Sequence, residues 1–319
     1  MFPRIAVASL VLSCLGCTTE IDTSVPAESD WHEVCVEPPL PRQKPALTHI
    51  EPSEEFDFDP HGYLVNLPDN SRVALRTPLD GDPEVVAPYN ATEIGAVRVL
   101  PDDALAVVDE YQGALMRITS EGGREVLHAG MRAPNSLAVH PDGRLFVSDI
   151  DRIVQVDAYG EYAPEVVLEV ERADLDGLVL SPDLQTLYAN DESTGVIWAV
   201  DLVSGEGTVL TQIVLGTGGS DRSASSERAE DEEEAGGFLD GMTTDLCGNL
   251  YVVRMDGQLF RIGADGVPIV YVDFDGSDRV LTSVHFGSGV GGWEADHLYV
   301  MDRQGEVLVV DAGIPGVHR

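Results

Sequence analysis

The chain has 319 residues, of which 43% are hydrophobic, so it contains enough apolar material for a folded core. It carries 56 acidic and 19 basic side chains, and its formal net charge is −37. A surface this acidic repels phosphate groups, which excludes nucleic acid and the charge-driven binding of anionic lipid. It suits a cation-binding protein, although solubility or a saline habitat would explain the same charge.

The N-terminus resembles a secretory signal. An apolar run over residues 5–12 follows Arg4 and is too short to cross a bilayer as a helix. Small residues before Cys17 resemble a bacterial lipoprotein processing site, and Cys14, after Val11-Leu12-Ser13, is a second possibility. We therefore expect a lipoprotein-type signal peptide over residues 1–17, with Cys17 lipidated. The chain is then exported to the bacterial cell envelope and contacts the membrane only through its lipid anchor, with ordinary secretion as the alternative.

The next segment, residues 18–45, is rich in proline and predicts a semi-rigid, extended tether between the anchor and the folded domain. After signal cleavage at Cys17, the internal cysteines of the chain are Cys35 and Cys247. An exported protein can form a disulfide, but the sequence does not reveal whether these two residues lie close enough. Both the bonded and the free states therefore remain open.

A short unit is repeated along the rest of the chain, and residues 134–149 (PNSLAVHPDGRLFVSD) show it clearly. Leu137 and Val139 alternate with polar or small neighbours, a Pro-Asp-Gly turn follows, and Leu145 and Val147 alternate again. This pattern predicts a strand, a tight turn and a second strand.

Five more copies of this unit occur. The residues at the first position of the six copies are Glu54, Gly95, Asn135, Asp176, Asp240 and Thr282. Their separations are 41, 40, 41, 64 and 42 residues. A period near 40 residues built from short strands predicts repeated four-stranded sheets. We therefore predict an all-β fold, a six-bladed β-propeller of four-stranded antiparallel blades over residues 46–319. The sixth copy lacks a clear fourth strand, and we expect residues 46–50 to cover that edge.

The irregular separation of 64 residues comes from an insertion between the fourth and fifth copies. Residues 216–237 are rich in serine, glycine and glutamate, which predicts a mobile loop. The insertion ends just before Asp240, so it would emerge beside the first-position residues. This position is compatible with a lid over the central opening and also with a solvated loop that has no role.

The first positions carry the candidate chemistry. The first strand of each propeller blade lines the central channel, so we expect Glu54, Asn135, Asp176 and Asp240 to converge near the axis. Three carboxylates and one amide would repel one another without a cation, and such hard oxygen donors suit Ca²⁺ best, or another divalent cation. The alternative is a purely structural role, in which Asp-Gly pairs form turns and Asn or Asp before a strand satisfies backbone donors.

Three segments resemble the family that contains senescence marker protein (regucalcin) and gluconolactonase: LDGLVLSPDLQTLYANDES, FLDGMTTDLCGNLYVV and LTSVHFGSG. The resemblance implies a six-bladed propeller with a catalytic divalent cation. It implies that Glu54, Asp176 and Asp240 are metal ligands and that Asn135 completes the shell or faces substrate. Arg132 would contact substrate, and Asp240 would be the catalytic base or nucleophile.

The sequence departs from the family pattern at three places. Asp176 stands where the family usually has asparagine, Glu54 is followed by Glu55-Phe56 rather than Gly-Pro, and Arg132 lies three residues before Asn135 rather than two. An extra carboxylate would tighten cation binding and weaken Lewis acidity. His128 and His285 are the histidines nearest this face by sequence, and we expect surface or strand-packing roles for them.

Two functions follow from these observations. The first is a Ca²⁺-dependent hydrolase that acts on a small-molecule lactone or ester at the central cavity. The second is a non-catalytic propeller of the cell envelope that binds a ligand or protein and holds a structural cation. The sequence does not determine the substrate or the oligomeric state.

Overall fold

The computed structural model of the chain describes residues 35, 39–68, 71, 73–88, 94–119, 121–214, 238–274 and 279–317. These residues form six four-stranded antiparallel sheets, so the predicted six-bladed β-propeller is confirmed. The predicted signal peptide with Cys17, most of the predicted tether and the acidic insertion at residues 216–237 lie outside the described residues. The described part of the chain contains no helix long and apolar enough to cross a membrane.

Blades one to five each consist of four consecutive strands, and blade six combines the last three strands with the first. The strands of blades one to three are β2 (Phe56–Phe58), β3 (Tyr63–Asn66), β4 (Val73–Pro78), β5 (Glu84–Pro88), β6 (Ile94–Val99), β7 (Leu105–Asp109), β8 (Ala114–Ile118), β9 (Arg124–Ala129), β10 (Pro134–Val139), β11 (Arg144–Asp149), β12 (Arg152–Asp157) and β13 (Glu165–Glu169). Those of blades four to six are β14 (Leu175–Leu180), β15 (Thr186–Asp191), β16 (Val196–Asp201), β17 (Gly207–Gln212), β18 (Leu239–Thr244), β19 (Leu250–Arg254), β20 (Gln258–Ile262), β21 (Pro268–Asp273), β22 (Leu281–Phe286), β23 (His297–Asp302), β24 (Glu306–Asp311) and β1 (Arg42–Leu47).

The hydrophobic core lies between neighbouring blades. Ala106 and Leu115 of blade two pack against Leu137 and Leu145 of blade three in one buried cluster. Burial decreases outward, because every residue of the second strand β7 is buried whereas the fourth strand β9 begins with three exposed residues. Alternating apolar residues on both faces of a blade therefore bind it to both of its neighbours.

The ring closes through β1, which pairs antiparallel with β24 and supplies the fourth strand of blade six. The strand begins at Arg42, so part of the proline-rich segment belongs to the propeller. Pro45 is accommodated because β1 is an edge strand and its register shifts between Lys44 and Leu47. Lys44, the only lysine, also pairs with Asp311 at 3.1 Å.

Cys35 and Cys247 form a disulfide with their Cα atoms 5.3 Å apart, which settles the alternative that the sequence left open. Cys247 lies in the turn between β18 and β19. The C-terminal segment meets the same turn, since Leu246 donates its N–H to the carbonyl of Pro315 at 2.9 Å. Cys35 and Pro315 are therefore both attached to this side of blade five.

The first strands line the channel and run in the same direction around the ring. We call the end at which they begin, marked by Asn135, Asp176 and Asp240, the upper mouth. The other end, where the turn after His140 and the disulfide at Cys247 lie, is the lower mouth.

Candidate functional site at the upper mouth

The first-position residues of blades two to six lie in β-bulges. In each blade the pairing of the first and second strands shifts by one residue around this position, for example between Leu175 and Leu178 and between Leu239 and Met242. A bulge places two residues opposite one and redirects their side chains, a device that is common beside active sites. Asp176 and Asp240 thus owe their orientation to a local irregularity that the alternating pattern does not contain.

The glycines of the two Asp-Gly pairs allow the first strands to approach closely. Gly177 and Gly241 belong to strands β14 and β18. A Cβ on Gly177 would lie 2.5 Å from the carbonyl oxygen of Asp240, and one on Gly241 would lie 2.6 Å from the Cα of Ser283. The turn interpretation of these pairs is therefore wrong, because the glycines serve backbone contact between blades.

Asp176 and Asp240 are nearly inaccessible, with 4% and 9% of their surface exposed. Burial raises the pKa of Asp176 well above its usual value, and the charges of Glu192 and Glu54 raise it further. Burial likewise raises the pKa of Asp240, followed by the charges of Asp176 and Glu54. The structure thus brings Glu54, Asp176 and Asp240 within electrostatic range of one another at a single mouth.

Glu54 is the most accessible of these three carboxylates. It precedes β2, and its Oε2 forms an ion pair with Nη1 of Arg303 at 2.5 Å. Within the described residues, Asp296, His297 and Asp311 form the single group of three or more His, Cys or carboxylate side chains whose ligand atoms all lie within 4.8 Å of one another. The ligand atoms of Glu54, Asp176 and Asp240 therefore do not all lie within 4.8 Å of one another.

Two further carboxylates at this mouth were missed from the sequence. Glu192 follows β15, and its N–H donates to the carbonyl of Asp174 at 2.9 Å. Burial raises the pKa of Glu192 to about 8, assisted by the charge of Asp174 and by the hydrogen bond that the protonated Glu192 carboxyl donates to it. Because β14 and β15 are antiparallel, the end of the second strand lies beside the start of the first. That rule could have identified Glu192 from the sequence.

The two predicted substrate-facing residues lie at the same mouth in blade three. Asn135 is half-buried, and its carbonyl oxygen would lie 2.3 Å from a Cβ on Gly95. Arg132 is exposed, and its guanidinium pairs with Asp151. Its backbone N–H donates to Oδ1 of Asp149 at 2.7 Å. Arg132 is therefore held by acidic groups of its own blade at the rim.

An ion-paired cluster lies inside the channel, next to the carboxylate mouth. Oε2 of Glu55 is 2.9 Å from Nη2 of Arg98, and its Oε1 is 2.8 Å from Nε2 of His285. Burial alone would raise the pKa of Glu55, but the charges of Arg98 and His285 lower it to about 2. A surface or packing role was expected for His285, and its contact with Glu55 was not predicted. His128 lies on the outer strand β9.

A cavity opens at the lower mouth rather than at the carboxylates. It has a volume of about 550 Å³ and is lined mainly by apolar side chains of the first strands, including Leu137, Leu178 and Met242. Arg98 and His285 also line it. The Glu55 cluster therefore stands between this cavity and the acidic residues of the upper mouth.

The donor set at the upper mouth fits a hard divalent cation. Carboxylate oxygens from three blades and the side chain of Asn135 are oxygen ligands of the kind that Ca²⁺ prefers. The raised pKa values of Asp176 and Asp240 arise from burial and from like charges, and a cation would reverse the second cause. Glu54, Asp176 and Asp240 are the residues that would hold it.

Residues 173–302, which span blades four and five and the first two strands of blade six, match the family model described as the SMP-30/Gluconolactonase/LRE-like region. The matched region contains Asp176, Glu192 and Asp240 and all three segments that carry the sequence resemblance. A search of curated proteins finds no match.

Several solved structures share the fold at low sequence identity. A gluconolactonase from Xanthomonas campestris is 17% identical with a TM-score of 0.64, and the match covers 87% of this chain and 95% of that one. Regucalcin from Agrobacterium tumefaciens, described as a calcium-binding protein, is 17% identical with a TM-score of 0.63, covering 87% and 96%. Virginiamycin B lyase from Staphylococcus aureus is 12% identical with a TM-score of 0.58, covering 85% and 99%. The resemblance drawn from the sequence is therefore confirmed, since residues 173–302 match this family model and the chain shares its fold with the solved gluconolactonase and regucalcin.

Proposed function

We propose that this protein is a divalent-cation-dependent hydrolase that acts on lactones or esters at the upper mouth, with Ca²⁺ as the cation. The observation that carries the proposal is the convergence of Glu54, Asp176 and Asp240 from three blades, two of them buried and held at raised pKa by their neighbours. The family match and the gluconolactonase and regucalcin folds support the same reaction class.

In this proposal each residue has a defined role. A divalent cation, when bound, would polarise the substrate carbonyl and stabilise negative charge on its oxygen. Asp240 accepts a proton from the attacking water, the acyl carbon–oxygen bond to the leaving group breaks, and the proton passes to the leaving oxygen. Asn135 orients the substrate by hydrogen bonding, and Arg132 attracts an anionic group at the rim.

A non-catalytic, ligand-binding propeller with a structural cation is the second candidate. Asp176 favours it, because a third carboxylate binds a cation tightly while reducing its Lewis acidity.

Lactonase and arylesterase assays with and without chelator separate the two candidates. We expect activity to disappear with chelator and to return with Ca²⁺. Asp240→Asn should lower kcat by roughly 100-fold or more, because it removes the base and a ligand charge. Asp142→Asn, which changes an exposed carboxylate at the lower mouth, is the matched control. Stabilisation by Ca²⁺ without any hydrolysis would favour the binding propeller.

We also propose that the chain is exported and anchored through Cys17. The disulfide between Cys35 and Cys247 supports export, because structural disulfides persist in oxidising compartments. Cell fractionation of Cys17→Ser tests the anchor, and we expect the protein to move from the membrane fraction to the soluble fraction. Retention in the membrane fraction would contradict it.

A further inference from the structure

Asn190 lies at the seam between blades four and five, directly beneath the carboxylates. It belongs to the second strand β15, opposite the bulge formed by Asp176 and Gly177. Its side chain is completely buried, and its Nδ2 donates to the backbone carbonyl of Asp240 at 2.6 Å. One amide thus connects the bulge that holds Asp176 to the backbone of Asp240.

The space around this amide is closely filled. A Cβ on Gly177 would approach Nδ2 of Asn190 to 2.7 Å and the carbonyl oxygen of Asp240 to 2.5 Å. The amide therefore cannot shift toward β14 without displacing the backbone of one of the two blades. A contact confined in this way determines the position of Asp240 rather than adapting to it.

The other end of the amide supports a role in the site. Oδ1 of Asn190 is buried and has no hydrogen-bond partner among the described residues. Leaving an acceptor unsatisfied costs about 1–3 kcal/mol, which offsets much of what the hydrogen bond to Asp240 contributes to stability. The amide lies next to two carboxylates that a cation would require.

We infer that Asn190 is the positioning residue of the cation site, holding the backbone of Asp240 so that its carboxylate faces Asp176 across the seam. The inference rests on the cation-dependent function proposed above. Groups that orient a metal ligand typically contribute 10- to 100-fold to metal affinity. Asn190 therefore acts through Asp240 and sets affinity for the cation.

Thr244 provides a matched contact at the same seam. Its Oγ1 donates to the carbonyl of Leu180 at 3.0 Å, again from a buried side chain to the backbone of the neighbouring blade. This contact lies toward the lower mouth, four residues beyond Asp240. Thr244→Val removes a seam hydrogen bond of the same kind while leaving the carboxylates unchanged.

Calorimetric titration with Ca²⁺ alone tests the inference on the full chain, alongside thermal unfolding. We expect Asn190→Leu, which keeps the side-chain volume, to weaken Ca²⁺ affinity at least tenfold, whereas Thr244→Val stays within about twofold of the parent. Both variants should unfold at a somewhat lower temperature. If Asn190→Leu does not fold, Asn190→Ser, whose hydroxyl is too short to reach Asp240, replaces it with the same expected loss.

The outcomes separate the inference from the proposed function. If the parent chain binds Ca²⁺ and the Asn190 variants bind it equally well, the positioning role is overturned and the proposed function stands. If Asn190 and Thr244 variants lose affinity to the same extent, seam stability explains the result and the inference is overturned as well. If the parent chain does not bind Ca²⁺, the proposed function and the inference are both overturned.

Discussion

The disulfide between Cys35 and Cys247 should contribute a large share of the stability of the ring. It joins residues separated by 212 positions, and the enclosed segment contains β1 to β18 in full. The loop-entropy relation predicts that cross-linking a loop of this length stabilises the folded chain by about 5 kcal/mol. The reason is that the unfolded chain loses conformational freedom, while the native contacts remain the same.

Replacing both cysteines by serine tests this magnitude. For a chain of this size, about 5 kcal/mol corresponds to a fall of roughly 10 °C in Tm. Guanidinium unfolding followed by tryptophan fluorescence is a suitable assay, because Trp293 is fully buried in the native state. The reduced parent protein should match the double variant, since both lack only the bond.

The result that would refute the reasoning is a loss below about 1 kcal/mol, which would mean that the unfolded chain gains little freedom when the bond is absent. We also expect the affinity for Ca²⁺ to be unchanged in the double variant. Cys247 lies at the lower mouth, whereas Asp176 and Asp240 lie at the upper mouth.

Two more predictions concern charge. Glu55→Gln leaves Arg98 buried without its counter-charge and should destabilise the protein by about 3–5 kcal/mol in urea unfolding. Asp142→Asn, at an exposed pair, should cost less than about 1 kcal/mol. Equal effects of the two substitutions would contradict a buried role for Glu55. Burial and the charge of Asp174 raise the pKa of Glu192 from 4.5 to about 8, so the folded state binds protons that the unfolded state has released. Stability without cation should therefore fall between about pH 4.5 and pH 8, and Ca²⁺ should reduce the fall. Equal unfolding midpoints at pH 5 and pH 8 in chelator would contradict this.

The architecture was predictable because its signals are local. Alternation with a period of two, a turn sequence such as that after His140 and a repeat near 40 residues are visible in any one unit, and six units imply a closed ring. The predicted ligands Glu54, Asp176 and Asp240 followed from the same register, since equal positions in equal blades meet at one mouth.

Contacts between units were predictable only in part. The turn interpretation of Asp176-Gly177 failed because the pair lies in a bulge, and a bulge leaves no trace in the alternating pattern. The proline-rich start of β1 was predicted to belong to a tether. Its pairing as a strand could not be seen there, because its partner β24 lies at the other end of the sequence. The ion pair between Glu55 and His285 joins residues 230 positions apart.

The sequence by itself determined the repeat, the blade count and the acidic character of the first positions, because each depends on side chains within one strand or turn. Only the tertiary structure decided which groups meet across the seams: Asn190 with Asp240, and Glu55 with Arg98 and His285. The physical reason is that these contacts are set by bulge register, by glycines that allow backbones to approach, and by closure of the ring. Those constraints act between blades and therefore appear only when all six are assembled.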